Sequence, residues 1–138
     1  MPASEACFID TNIWLYAFTN DDTPKNEVAQ ALIKTSLPVL SVQVINETCV
    51  NLIKRAKFPE TKISKLVEKK KKKYDVIEVQ KGLLLSASQL RQEYALSYWD
   101  SMIVAAALAG GVKTLYSEDM QHGLVIHESV KIINPFNQ

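Results

Sequence analysis

Glycine is scarce in this sequence, with four in 138 residues, and none sits in a Gly-rich loop able to cradle phosphates. Cysteine is rarer still. Cys7 and Cys49 both fall in apolar segments, too few for a disulfide framework or zinc site, and read as small buried hydrophobes in a reducing compartment. With only two histidines, His122 and His127, no Ser-His-Asp or Cys-His arrangement is discernible. Neither sign of charge is in excess: 16 Lys plus Arg oppose 15 Asp plus Glu, a formal net charge of +1. That excludes a nucleic-acid binder working by bulk charge, so any RNA binding must come from a local patch. The longest apolar stretch, Met102 to Ala109, is far short of the ~20 residues of a membrane-spanning helix. Met1-Pro2-Ala3-Ser4-Glu5 has no basic segment ahead of an apolar run, so no secretory leader is expected and a soluble cytoplasmic domain is.

What is present suffices for one core. The composition is 47% hydrophobic, and no linker or repeat divides residues 1–138, so a single domain is expected. Ala6-Cys7-Phe8-Ile9 suits a buried strand ending at Asp10. Thr11 through Thr19 reads as a short helix capped by Thr11 or Asn12. After a polar break, Pro24 opens a second helix with Val28, Ala31, Leu32 and Leu37 as its apolar positions. Pro38 to Ser41 reads as a strand. Val42, Ile45, Cys49, Leu52 and Ala56 then recur at helical steps. Pro59 starts a helix striped by Ile63, Leu66, Val67 and Tyr74. Asp75 to Val79 reads as a third strand, Leu83 to Leu96 as an amphipathic helix, and Tyr98 to Ala109 as a buried helix ended by Gly110-Gly111. Strands at Thr114–Tyr116 and Val130–Ile133 complete an α/β pattern: a short, mostly parallel sheet with helices on both faces.

Ligands of open parallel sheets bind outside the carboxyl ends of the strands. Asp10 and Asp119 fall at such ends. Asp10 follows apolar residues and precedes Trp14 and Leu15; its structural alternative is a carboxylate serving a helix N-terminus. Ser117-Glu118-Asp119 is also an ordinary turn sequence, and Glu118 competes with Asp119 for any metal role. Asp100 completes a capping-box pattern with Ser97, yet shares a face with Val104 and Ala107 of a buried helix, where an unpaired carboxylate is costly. Glu47 lies opposite the Ile45/Cys49/Leu52 stripe and, by pattern alone, reads as a solvated acid. Taken together, four acids suggest an oxygen-only site suited to Mg²⁺ or Mn²⁺ rather than zinc. Two such ions about 3.5–4 Å apart can activate water for phosphodiester cleavage.

Phe8-Ile9-Asp10-Thr11-Asn12, Asn46-Glu47, Trp99-Asp100-Ser101 and Tyr116-Ser117-Glu118-Asp119-Met120-Gln121 resemble, in order and spacing, the PIN-domain family, and within it the VapC toxins of bacterial toxin–antitoxin pairs. The resemblance runs from the first strand to Pro135-Phe136. It implies a single PIN-like domain and a metal-dependent endoribonuclease with Mg²⁺ or Mn²⁺ held by Asp10, Glu47, Asp100 and Asp119. It further implies that Thr11 or Asn12 and Ser117 line the site, that the protein is a homodimer, that an antitoxin blocks the site, and that RNA is the substrate. For Glu47 it overrides the pattern, because a helical wheel cannot show which neighbour covers a polar face.

The dense lysine run from Lys69 to Lys73 departs from that family pattern. Lys62, Lys65, Lys69 and Lys73 share one helical face and read either as a hold for RNA phosphates or as a solvated face. Trp14 and Trp99 flank the acids and read as base-stacking platforms or as core. His122 reads as a surface imidazole close to Asp119. Two other functions remain open. A receiver-like Mg-binding signalling domain needs a phosphoacceptor Asp ending a middle strand, where this chain has Glu78-Val79. A catalytically idle PIN-type binding module is disfavoured by intact acids at all four positions.

Overall fold

Ala6–Ile9 forms strand β1, with Cys7, Phe8 and Ile9 buried. A continuous apolar run suits a strand covered on both faces. The chain continues through α1 (Thr11–Phe18), α2 (Thr23–Thr35), β2 (Leu37–Ser41), α3 (Val42–Ala56), α4 (Glu60–Lys73) and β3 (Asp75–Ile77). It then forms α5 (Lys81–Glu93), α6 (Tyr98–Ala109), β4 (Thr114–Tyr116), β5 (Val125–Ile126) and β6 (Val130–Ile133). The structure, a computed structural model, describes residues 5–137; Met1 to Ser4, where no leader is expected, lie outside the described residues.

Among the described residues the six strands lie in the order β3-β2-β1-β4-β6-β5, every neighbouring pair parallel except β5 with β6. The expected α/β architecture with a mostly parallel sheet is what forms. The chain leaves β1 first toward β2 and β3 and later returns on its other side as β4. The strand order therefore reverses between β1 and β4, and the crevice beyond their carboxyl ends is where such sheets bind ligands.

The core is centred on Phe8, Ile9, Leu40, Leu115 and Ile132 of the sheet, all fully buried. Helix α6 is apolar all round and is buried from Ser101 to Ala107, as its composition predicts. Gly111, at φ +69°, ends that helix in the left-handed conformation that glycine adopts without a side-chain clash.

Several local expectations shift. Asp10, not Thr11 or Asn12, caps α1. Leu37 belongs to β2 and is exposed, while Ala29 is the residue that α2 buries. Helix α3 turns Val44, Thr48 and Leu52 inward, leaving Val42 exposed and Ile45 and Cys49 half-buried. The polar Thr48 is tolerated inside because its hydroxyl donates to the Val44 carbonyl at 2.7 Å. Strand β3 stops at Ile77 and lies at the sheet edge. Helix α5 runs from Lys81 to Glu93, starting two residues and ending three residues earlier than its pattern predicts.

Candidate metal centre

The centre is built at the β1/β4 crevice. Asp10 follows β1 directly and is 9% exposed. Its Oδ1 accepts from the Thr11 amide at 2.7 Å, capping α1, and its Oδ2 accepts from the Ser117 hydroxyl at 3.0 Å. Ser117, fully buried beyond β4, also accepts from the Met120 amide at 3.3 Å, so one hydroxyl shapes the loop and holds the acid. Burial pushes the Asp10 carboxyl up to about 6, against the hydrogen bonds from Thr11 and Ser117 and with added repulsion from Asp100 and Glu47.

The inward rotation of α3 brings Glu47 to the same place. The Thr11 hydroxyl donates to Glu47 Oε2 at 3.0 Å, and Gln43 Nε2 donates to Oε1 at 2.9 Å. Glu47 is half-buried, which the polar arc of the wheel conceals.

Asp100 stands in the first turn of α6, whose N-cap Ser97 accepts from the Asp100 amide at 3.1 Å. Capping and proximity to the centre therefore coexist. Burial raises the Asp100 carboxyl above the ordinary carboxylate range, a hydrogen bond with Ser97 opposes this, and the charges of Asp119 and Glu47 add to the rise. Asp119 is exposed to a larger degree than Asp10, and its Oδ2 accepts from Asn12 Nδ2 at 2.5 Å. Asp100 and Asp119 both border a cleft of about 290 Å³.

The two uncertain neighbours of Asp119 have other partners. Glu118 accepts from the Tyr16 hydroxyl at 2.7 Å and pairs with Lys25, so its carboxylate is engaged away from the acids. His122 Nδ1 accepts from the Asn134 amide at 2.9 Å, a structural role in the turn. Tyr16 and Lys25 carry no signal in the sequence, because only the fold brings the loop after β4 within their reach, whereas Gln43 stands one helical turn before Glu47 in α3.

The donor chemistry of the four acids fits a divalent cation: all are hard oxygens, and the repulsion among neighbouring carboxylates falls when a cation binds. Among the described residues no three acidic, histidine or cysteine side chains already surround one point as a ready-made ligand set. Each acid is instead held by a neutral donor from Thr11, Asn12, Gln43, Ser97 or Ser117.

The other singled-out residues divide. Trp14 is core, its indole N–H donating to the Ile9 carbonyl at 3.0 Å, whereas Trp99, next to Asp100, is 62% exposed. Lys62, Lys65, Lys69 and Lys73 are exposed and line a groove of about 890 Å³, with Trp14, Phe18 and Tyr74 among its other walls and none of the four acids. Lys70, which the pattern does not distinguish from its neighbours, is 4% exposed with its ammonium 3.4 Å from the Trp14 ring centroid.

A family model described as PIN domain matches residues 7–124. The chain belongs to the PIN-domain family. A solved toxin and a solved toxin–antitoxin complex are among its structural neighbours. A toxin–antitoxin complex from Klebsiella pneumoniae is 20% identical with a TM-score of 0.68, covering 94% of this chain and 98% of its own. VapC20 from Mycobacterium tuberculosis, described as a sarcin–ricin loop cleaving toxin, is 19% identical with a TM-score of 0.65, covering 79% and 86%. FitAcB from Neisseria gonorrhoeae is 15% identical with a TM-score of 0.67, covering 96% and 99%. No curated protein matches the sequence. No helix among the described residues is long and apolar enough to cross a membrane.

Proposed function

We propose that this PIN domain is a metal-dependent endoribonuclease and the toxin of a toxin–antitoxin pair, acting in the cytoplasm as a homodimer whose partner antitoxin blocks the site. What supports the reading is the buried Asp10 beyond β1, held by Thr11 and by Ser117 beyond β4, with Glu47 tied to the same Thr11 and Asp100 and Asp119 bordering one cleft. Two structural neighbours, one a toxin that cleaves the sarcin–ricin loop and the other a toxin–antitoxin complex, point the same way.

In this reading the four acids hold Mg²⁺ or Mn²⁺, with Thr11, Asn12 and Ser117 in support. A bound divalent ion supplies a water of lowered pKa and positive charge against the phosphate. Thr11 and Ser117 fix the two oxygens of Asp10, and Thr11 and Gln43 fix those of Glu47, so both carboxylates are oriented before an ion arrives. Hydrolysis by water needs no protein nucleophile. Lys62, Lys65, Lys69 and Lys73 are assigned to RNA phosphates.

The decisive experiment incubates purified protein with a mixed set of structured RNAs, with Mg²⁺ or Mn²⁺, with EDTA, and as the Asp10→Asn variant. Endonucleolytic cuts that require both metal and Asp10 support the reading. Folded, metal-loaded protein that leaves every RNA intact, or cleaves equally as Asp10→Asn, counts against it.

A further inference from the structure

We propose that Lys25 and Tyr16 are positioning residues of the metal centre: they clamp Glu118 so that its neighbour Asp119 is the acid that the loop after β4 offers to the ion. The proposal rests on the metal-centre reading above and adds residues from outside the four acids.

Glu118 and Asp119 are consecutive and chemically interchangeable, so something must select between them. Both are held by one helix. Asn12 reaches Asp119 Oδ2 at 2.5 Å, and the Tyr16 hydroxyl donates to Glu118 Oε1 at 2.7 Å. Asn12 and Tyr16 are four residues apart in α1 and so lie on the same face, along which the loop is laid. Those contacts are neutral. The charge comes from α2, whose Lys25 ammonium donates to Glu118 Oε2 and at 3.3 Å to the Tyr16 hydroxyl.

Lys25 is itself well located. Its amide donates to the N-cap Asp22 at 3.1 Å. The next residue, Asn26, donates to the Tyr16 carbonyl at 2.8 Å and to the Thr19 carbonyl at 3.0 Å, tying the first turn of α2 to the end of α1. The ammonium lies 5.0 Å from the Tyr16 ring centroid and 5.4 Å from that of Phe136, whose ring meets Tyr16 edge-on at 5.3 Å. The Lys25 and Glu118 side chains are 34% and 19% exposed, so the pair is partly shielded from water. A shielded, charge-assisted pair with a second donor holds geometry better than a surface ion pair.

The consequence is electrostatic as well as geometric. Lys25 offsets the charge of Glu118 and removes it as a rival ligand, leaving Asp119 to face the cleft it shares with Asp100. Without Lys25 an uncompensated carboxylate stands beside Asp119, and the loop loses the charged tie that holds it to α2.

The test uses the full chain as wild type, Lys25→Met and Lys25→Arg. It reads Mn²⁺ affinity by calorimetry, amide exchange of residues 117–121 without metal, and metal-free melting. Lys25→Met is expected to weaken Mn²⁺ binding by about 10- to 100-fold, the usual scale for groups that orient metal ligands. It should also speed exchange of the Met120 amide, which donates to Ser117. Lys25→Arg should restore both to within a few-fold. Wild-type Mn²⁺ affinity and exchange in Lys25→Met overturn the proposal, as does a fall in melting temperature with neither readout changed. If the wild type binds no Mn²⁺, the metal reading fails by itself. Loop exchange in the metal-free variants then still decides whether the clamp exists.

Discussion

The Thr11 hydroxyl donates to Glu47 Oε2 at 3.0 Å, joining the start of α1 to α3 across 36 residues of chain. Thr11 also gives its amide to Asp10, so one residue orients two of the four acids through two different atoms. Thr11→Val keeps the amide and the side-chain shape but loses the hydroxyl donor. The expected outcome is a loss of about 10- to 100-fold in Mn²⁺ affinity with little change in metal-free melting. Calorimetric titration beside thermal melting checks it, and unchanged affinity would show that Gln43 alone orients Glu47.

That hydrogen bond also explains why Glu47 is so poorly legible in the sequence. Apolar residues at Ile45, Cys49 and Leu52 draw the inward face of α3 on one side. The fold keeps Leu52 inside but buries Val44 and Thr48 in place of Ile45 and Cys49, with the Thr48 hydroxyl satisfied within the helix. Polarity at Thr48 masks burial, and burial at Thr48 is what turns Glu47 toward Thr11. Asp10 and the buried helix α6 are legible because their signals are local: a charge ending an apolar strand, and a helix apolar all round. Lys25 and Glu118 carry no such signal, since their pairing spans 93 residues. Lysine composition likewise does not separate the buried Lys70 from the exposed Lys69 and Lys71. Trp99 misleads in the other direction: its apolar surroundings in sequence suggest core, yet it lies in the first turn of α6, ahead of the stretch that packs inward.

Asp10→Asn separates stability from function. Asparagine keeps an oxygen able to accept from Thr11 or Ser117, and it removes a charge that burial, Asp100 and Glu47 all disfavour. The variant should melt higher than wild type at pH 7 without metal and gain nothing from added Mn²⁺. Its RNA cleavage should fall by about 100- to 1000-fold, since a ligand-site charge supplies several kcal/mol. A variant that melts lower than wild type at pH 7 would show that the carboxylate's hydrogen bonds outweigh its burial.

Acid titration tests the same charge. Asp10 rises from 3.8 to about 6 in the folded chain, so between those values the folded state keeps a proton that the unfolded state releases. The contribution of Asp10 to metal-free stability is therefore full below about pH 4 and is lost as pH rises through about 6, on the order of 3 kcal/mol. Asp100 shifts in the same direction. Stabilisation by Mn²⁺ should be small at pH 4.5 and grow toward pH 7, because binding needs ionised carboxylates. Melting at a series of pH values with EDTA and with Mn²⁺ measures both, and equal metal stabilisation at pH 4.5 and 7 excludes Asp10 as a ligand.

The four exposed lysines of α4 make a separate forecast. Replacing Lys62, Lys65, Lys69 and Lys73 by Gln should weaken RNA binding and reduce the slope of log affinity against log salt by up to about 0.7 for each phosphate no longer neutralised. Metal affinity should not change, since none of the four lines the cleft beside Asp100 and Asp119. Filter binding to a non-cleavable RNA at several salt concentrations reads the slope; an unaltered slope makes these lysines a solvated face.

Lys70 behaves differently from its neighbours. Burial lowers its ammonium to about 7, with Cys49 opposing the fall and Lys73 and Lys69 adding to it. Between about 7 and 10.5 the unfolded chain holds a proton that the folded chain does not, so stability rises with pH across that window and is lost as pH falls through about 7. Contact with the Trp14 face offsets only part of the cost, at roughly 0.5–2 kcal/mol. Lys70→Met preserves the apolar stem and fills the space against Trp14 without a charge. The variant should be more stable than wild type at pH 6, by about 1–3 kcal/mol, and should flatten the rise between pH 7 and 10. Urea unfolding at pH 6, 7, 8.5 and 10 measures both effects. A less stable variant at pH 6 would mean that the ammonium's attraction to Trp14 outweighs its desolvation, and Lys70 would then be a stabilising cation rather than a buried burden.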